Sequence, residues 1–209
     1  MNIRLLPACA LAVLLCSCAS TSVKKTSRSA DYQGGRLTNI AVLTIEQRGI
    51  LREGFENRFT AQLKQRGASA ITTFNLLSLS EIAQDKPAAA QKFRAQGADA
   101  VLILRLANAS STYREVRPGN ERYADTITGI ESGMWYDYYS VAYMDMSPTY
   151  GNEKQQILLE TVLFDLKTAK RIWSGVTQTV STETMDRVAE MNTIVAKVLS
   201  AMQKDGMIP

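Results

Sequence analysis

The run NIAVLTI at positions 39–45 does most to limit what this chain can fold into. Its compact block of branched apolar residues reads as a strand buried within a sheet. A helical pattern follows. In ILREGFENRFTAQLKQRG (50–67), Leu51, Phe55, Phe59 and Leu63 recur every four residues and form one apolar stripe. Gly67 is placed to end that helix. ASAITTF (68–74) then reads as a second strand. A strand–helix–strand unit of this kind gives parallel pairing through a right-handed crossover.

The rest of the chain extends the same architecture. PAAAQKFRAQ (87–96) is expected to be a helix, with Pro87 in its first turn and Gly97 as its stop. A weaker helical turn is expected at 78–85. ADAVLILRLA (98–107) is the clearest buried strand, expected to continue, less buried, through SSTYREV (110–116) to turn residues at 118–120. QILLETVLFDL (156–166) and RIWSGVTQTV (171–180) flank the short loop KTAK and predict an antiparallel hairpin. The first of these strands is apolar on both faces, which places it inside the sheet. The last stretch, 181–206, predicts a helix with Val188, Met191, Val195, Val198 and Met202 on one face, capped by Ser181 or Thr182 and stopped by Gly206. The fold class is therefore α/β: a mixed β-sheet packed by helices, in the order β-α-β-α-β, then a β meander or hairpin, then a C-terminal amphipathic helix. The 209 residues suffice for one domain with a substantial core.

The first 18 residues, MNIRLLPACALAVLLCSC, have a different logic. A positive start at Arg4 precedes an apolar core of about 11 residues, well short of the roughly 20 that a spanning helix needs. This is the layout of a secretory signal. All three cysteines, Cys9, Cys16 and Cys18, lie here. Read from the residues alone, the CSC pair admits a metal site, a strained disulfide, a plain signal peptide or a lipid-attachment site. Leu15-Cys16-Ser17-Cys18 resembles the lipobox of bacterial lipoproteins, with an aliphatic residue three places before the acceptor cysteine and a small residue just before it. Cys16 departs from the commoner Ala, Ser or Thr at its position. The resemblance implies a signal peptide at 1–17, lipidation of Cys18, and a mature chain without a free thiol. Ala19 after the lipidated residue implies sorting to the outer membrane, with the domain facing the periplasm. Residues 18–36 are then expected to be a lipidated flexible tether, polar and without apolar periodicity, spanning roughly 20–25 Å as a coil. The single domain is expected to occupy 37–209.

NIAVLTI, the helix ending LKQRGA, GADAVLIL and the hairpin FDLKTAKRIWSG occur in an order that resembles a group of bacterial envelope lipoproteins with a compact α/β domain, distantly similar in fold to the curli-secretion lipoprotein and the lipoprotein activator of a penicillin-binding protein. Asp165, Lys167, Trp173 and Gly175 look like a strand–turn–strand signature of that group rather than a catalytic set. The resemblance implies a binding or assembly part of the cell envelope.

One segment stands apart in composition. Six of the eight tyrosines fall between Tyr123 and Tyr150, together with Trp135, Met134, Met144 and Met146. Read as a strand, Tyr136, Tyr138 and Ser140 would share one face, and Trp135, Asp137, Tyr139 and Val141 the other. Two readings stand: an edge strand packed on a helix, or a recognition patch built from Trp135, Tyr136, Tyr138, Tyr139 and Tyr143.

Catalytic signals are thin. The absence of histidine excludes a serine–histidine triad and removes the commonest zinc ligand. GIESG (129–133) is not a nucleophile elbow. There is no GxxxxGK[ST] and no GxGxxG. Glu131, Asp137 and Asp145 are the carboxylates that a cell-wall hydrolase would use, but they have no distinguishing spacing. Asp137 and Asp145 are too few for a calcium site. On the first helix, Arg52, Arg58, Lys64 and Arg66 alternate with Glu53 and Glu56, and read as a solvated face rather than a nucleic-acid surface. The net charge of +4 is scattered. The expectation is a non-enzymatic, membrane-anchored periplasmic lipoprotein without cofactor or metal. It would bind an envelope protein or ligand, or alternatively serve as an oligomeric component of an envelope or secretion assembly.

Overall fold

The computed structural model describes residues 20–107, 133–144, 155–181 and 186–209. Six strands form one mixed sheet: β1 (Ser20–Arg28), β2 (Asn39–Ile45), β3 (Ser69–Thr72), β4 (Ala100–Ala107), β5 (Gln155–Asp165) and β6 (Arg171–Ser181). Their order across the sheet is β1-β6-β5-β4-β2-β3. β2 pairs parallel with both β3 and β4, and the other three pairings are antiparallel. Among the described residues, five helices accompany them: α1 (Gly49–Gln65), α2 (Leu79–Gln84), α3 (Lys86–Ala95), α4 (Trp135–Met144) and α5 (Arg187–Lys204). No helix among the described residues is long and apolar enough to cross a membrane.

The sheet is covered on both faces because its central strands are apolar on both. Along β2, Ile40 and Val42 point to one side, while Ala41, Leu43 and Ile45 point to the other. β4 does the same with Leu102 and Leu104 against Val101 and Ile103. The first side packs α1 and α5, through Phe59, Leu63, Ile194, Val195, Val198 and Met202. The second packs α2, α3 and α4, through Ile82, Ala90, Phe93, Trp135 and Tyr139. The result is a three-layer α/β/α sandwich with two cores separated by the sheet.

Three sequence expectations are corrected. The segment expected to tether the domain is partly a strand: β1 takes Ser20–Arg28 and pairs with β6 from Ser20↔Val180 to Arg28↔Trp173. Its polar residues carry no apolar signal because an edge strand contributes mainly backbone hydrogen bonds. A register shift between Val23 and Lys25, together with Lys24 and Lys25, blunts that edge against further pairing. Residues 20–28 thus belong to the sheet. Secondly, residues 135–144 are helical rather than extended. Thirdly, α5 is capped by Asp186, whose carboxylate accepts from Val188 N at 2.8 Å. Ser181 cannot cap it because Ser181 ends β6. The expected extension through 110–116 lies outside the described residues.

Candidate functional site

α4 carries all five aromatic residues expected to form a recognition patch, so its placement decides what they do. The helix starts where Gly133, at φ 59°, turns the chain in the left-handed region. Arg171 N donates to Gly133 O at 2.7 Å and Trp135 N donates to Ala169 O at 2.9 Å, which pins this end of α4 to the β5–β6 turn. Trp135, Tyr138, Tyr139 and Ala142 then follow helical spacing and face the sheet. Trp135 and Tyr139 are fully buried, and Tyr138 is 4% exposed. Trp135 meets Phe93 and Tyr139 with ring centroids 6.5 and 6.3 Å apart, and Tyr138 meets Phe164 at 5.4 Å. Tyr139 Oη donates to Leu79 O at 2.7 Å, tying α4 to α2, and burial pushes its phenol well up. Three of the five aromatic residues are therefore core. Tyr136 and Tyr143 are half-buried, Tyr143 stacking on Tyr139 at 5.9 Å. The residues of α4 turned to solvent are Asp137, Val141 and Met144.

Beneath α4 lies a buried charged cluster with no signature in the sequence. Arg105 on β4 and Glu160 on β5 are direct cross-strand partners. Arg105 Nε donates to Glu160 Oε2 at 2.7 Å, and Tyr138 Oη donates to the same oxygen at 2.8 Å. The Arg105 guanidinium also lies 5.7 Å from the Tyr138 ring centroid. Burial raises the Glu160 carboxyl above its ordinary range, and Arg105 opposes that shift without cancelling it. Burial, then the charge of Glu160, raises the Tyr138 phenol far above 10. The cluster clamps α4 to the two strands.

A second buried pair joins α1 to the strand ends. Arg52 and Glu56 sit one helical turn apart, with Nε–Oε1 at 3.0 Å. The Glu56 carboxylate accepts from Thr44 N at 3.0 Å and from Thr73 N and Phe74 N at 2.7 Å each. Arg52 Nη2 donates to Leu77 O at 2.9 Å. One helix side chain thus holds the end of β2 to the chain leaving β3. This corrects the expectation that Arg52 and Glu56 belong to a solvated face: they are 6% and 0% exposed. Arg58, half-buried, turns back on its own helix to Gly54 O at 2.8 Å. The signal available in the sequence was that Arg52, Glu56, Phe59 and Leu63 continue one helical face, with two charges in its first two turns.

Between α1 and α5, at the end of β2 and β4, a cavity of about 60 Å³ is lined by Thr44, Phe55, Leu104, Leu159, Glu190 and Ile194. It has room for a few water molecules and not for a drug-sized ligand. Among the described residues there is no cluster of three or more acidic, cysteine or histidine side chains able to hold a metal ion. Cys18, Glu131 and Asp145 lie outside the described residues, and Asp137 is exposed on α4.

The strand–turn–strand residues hold their own structure. Asp165 Oδ1 accepts from Thr168 N at 2.6 Å and from Thr168 Oγ1 at 2.8 Å, forming an Asx-type turn. Ala169 follows at φ 59°. Trp173 Nε1 donates to Asp205 Oδ2 at 2.7 Å, which docks the end of α5 onto β6.

No protein-family model and no curated protein matches the chain. Solved structures show distant similarity. A point variant of PelC from Paraburkholderia phytofirmans, crystallised as a dodecamer, is 12% identical, with 89% of this chain and 99% of that chain covered at a TM-score of 0.48. A second PelC dodecamer from the same organism is 14% identical over 87% and 96%, at 0.47. Lipoprotein GNA1162 from Neisseria meningitidis is 13% identical over 79% and 96%, at 0.43. These likenesses are too distant to assign a role to any residue here.

Proposed function

We propose that the chain is a bacterial envelope lipoprotein, anchored through Cys18, whose α/β domain binds an envelope protein or ligand and does not catalyse a reaction. The observation that carries this reading is the leader itself: a positive start, a short apolar core and Leu15-Cys16-Ser17-Cys18 at its end. The engagement of the buried ionisable groups supports a non-catalytic domain. Arg52, Glu56, Arg105, Glu160 and Tyr138 all hold elements of the fold together. For partner contact, the half-buried Tyr136 and Tyr143 and the outward Asp137 are within a partner's reach.

The anchor is tested by replacing Cys18 with Ser, then fractionating cells and weighing the protein. The wild type should sediment with outer membranes and carry acyl mass, and the variant should lose both. Unchanged membrane association with unchanged mass would sink the reading. The binding role is tested by photo-crosslinking from position 136 or 143. Adducts with one envelope component support it. Adducts with a second copy of this chain instead favour the oligomeric alternative.

A further inference from the structure

The two ends of the sheet differ sharply in where they leave apolar side chains. At one end β2, β3, β4 and β6 finish and β1 and β5 begin. The N-terminus of α1 follows β2 there, and the N-terminus of α5 follows β6. The C-terminus of α4 also points that way, because its first turn is pinned at the β5–β6 turn on the opposite end. Seven large apolar residues are exposed among the described ones: Val23, Ile50, Leu76, Val141, Met144, Val180 and Val188. All seven lie at or toward this end. Ile50 is 86% exposed, Met144 78% and Val188 50%. At the opposite end, Leu37, Leu166, Met207 and Ile208 are all buried. Singly exposed apolar residues are ordinary on a protein surface, but their segregation to one end is not.

The same end is where the described chain begins. Ser20 opens β1, paired with Val180, so a single residue separates Cys18 from the sheet. A lipid on Cys18 would hold this end against the bilayer with no slack, unlike a coil of 18 residues. From this geometry we infer that the β1 N-terminal end of the domain is a membrane-seating surface, with Ile50, Met144 and Val188 entering the lipid interface beside the anchor. The inference rests on the lipid anchor proposed above and adds the orientation of the domain. Charge at this end is mixed: Lys24, Lys25 and Arg187 are exposed, and so are Glu53 and Asp186. The seat is accordingly apolar, and its occupant is the bilayer itself rather than an anionic headgroup.

The mature chain keeps no cysteine but Cys18, so single cysteines can be introduced for an environment-sensitive dye. Ile50→Cys, Met144→Cys and Val188→Cys report on the seating end. Lys167→Cys and Gln96→Cys report on the opposite end, where both residues are exposed. Each lipidated variant is placed in vesicles of phosphatidylethanolamine with a minority of phosphatidylglycerol. The same variants carrying Cys18→Ser provide the aqueous reference. Labels at 50, 144 and 188 should shift to the blue and be quenched by lipid-phase quenchers. Labels at 96 and 167 should match the reference, and added salt should change neither result. Protein that co-floats with vesicles while labels at 50, 144 and 188 stay aqueous would overturn the seat and leave the anchor standing. Protein that does not float would overturn the anchor. Labels already apolar in the reference would show this end covered by the chain's own segments, which also overturns the seat.

Discussion

The indole of Trp173 lies against the backbone of Gly175 so closely that a Cβ at position 175 would sit 2.5 Å from the ring. The two residues share one face of β6, two positions apart, and the same indole donates to Asp205 at the end of α5. Gly175 is thus required by packing rather than by a turn. Gly175→Ala should force the indole aside and cost about 1–3 kcal/mol. Thermal unfolding would measure the loss, and tryptophan emission would show whether the ring has moved. A Trp173→Phe, Gly175→Ala double variant should recover part of the loss, because the smaller ring leaves room for the methyl group.

Arg105 and Glu160 form a pair whose halves depend on each other. Arg105→Met leaves a buried carboxylate without its cation and should cost about 3–5 kcal/mol. Pairing Arg105→Met with Glu160→Leu removes both charges and should cost much less. Chemical denaturation of the two single variants and the double variant gives the coupling directly.

The same carboxylate makes stability depend on pH in a stated direction. Glu160 holds its proton more tightly when folded than at its ordinary value of 4.5. Its contribution is therefore complete below that value and is lost as pH rises through the raised folded value. Against Glu160→Gln, which cannot ionise, the wild type should lose Tm as pH climbs from 4.5 through the raised folded value. Parallel curves for the two proteins would show that Glu160 does not couple to the proton. Another buried carboxylate, Glu56, is also raised by burial, but it is common to both proteins and cancels in the difference.

Glu56 should be the costliest single side chain on α1. Glu56→Ala takes an acceptor from the backbone N–H groups of Thr44, Thr73 and Phe74 and strands Arg52 in the interior. The expected loss is about 3–5 kcal/mol. Hydrogen exchange should locate it at the ends of β2 and β3 rather than in β5 or β6.

A chain shortened to residues 37–209 should be less stable than one starting at Ser20. Without β1, the outer edge of β6 loses its ladder and Thr179 loses the hydroxyl of Thr21, 3.0 Å away. Faster amide exchange along Val176–Val180 and a lower Tm would register this. Equal stability of the two chains would return residues 20–28 to the role of a tether.

The elements legible from the residues are those with a strong local pattern. β2, β4 and β5 announce themselves as apolar runs, and α1 and α3 by their spacing and glycine stops. Two elements resisted. β1 is STSVKKTSR, with Val23 its one aliphatic residue, and it exists because β6 offers an edge of unpaired backbone. α4 is WYDYYSVAYM, rich in residues that favour strands, yet it is helical because that places Trp135, Tyr138, Tyr139 and Ala142 together against the sheet. Of the expected recognition patch, the aromatic composition was legible and its exposure was not. Arg52, Glu56, Arg105 and Glu160 were invisible as a set, since Arg105 and Glu160 meet only when β4 and β5 pair.

Local pattern alone determined the α/β class and the parallel β2–β3 crossover. These follow from periodicities and short spacings that a chain carries before it folds. Tertiary structure alone decided which charges are buried, that the aromatic helix faces inward, and that residues 20–28 join the sheet. Those outcomes depend on which segments meet across the sheet, and burial is a property of the meeting, not of the residue.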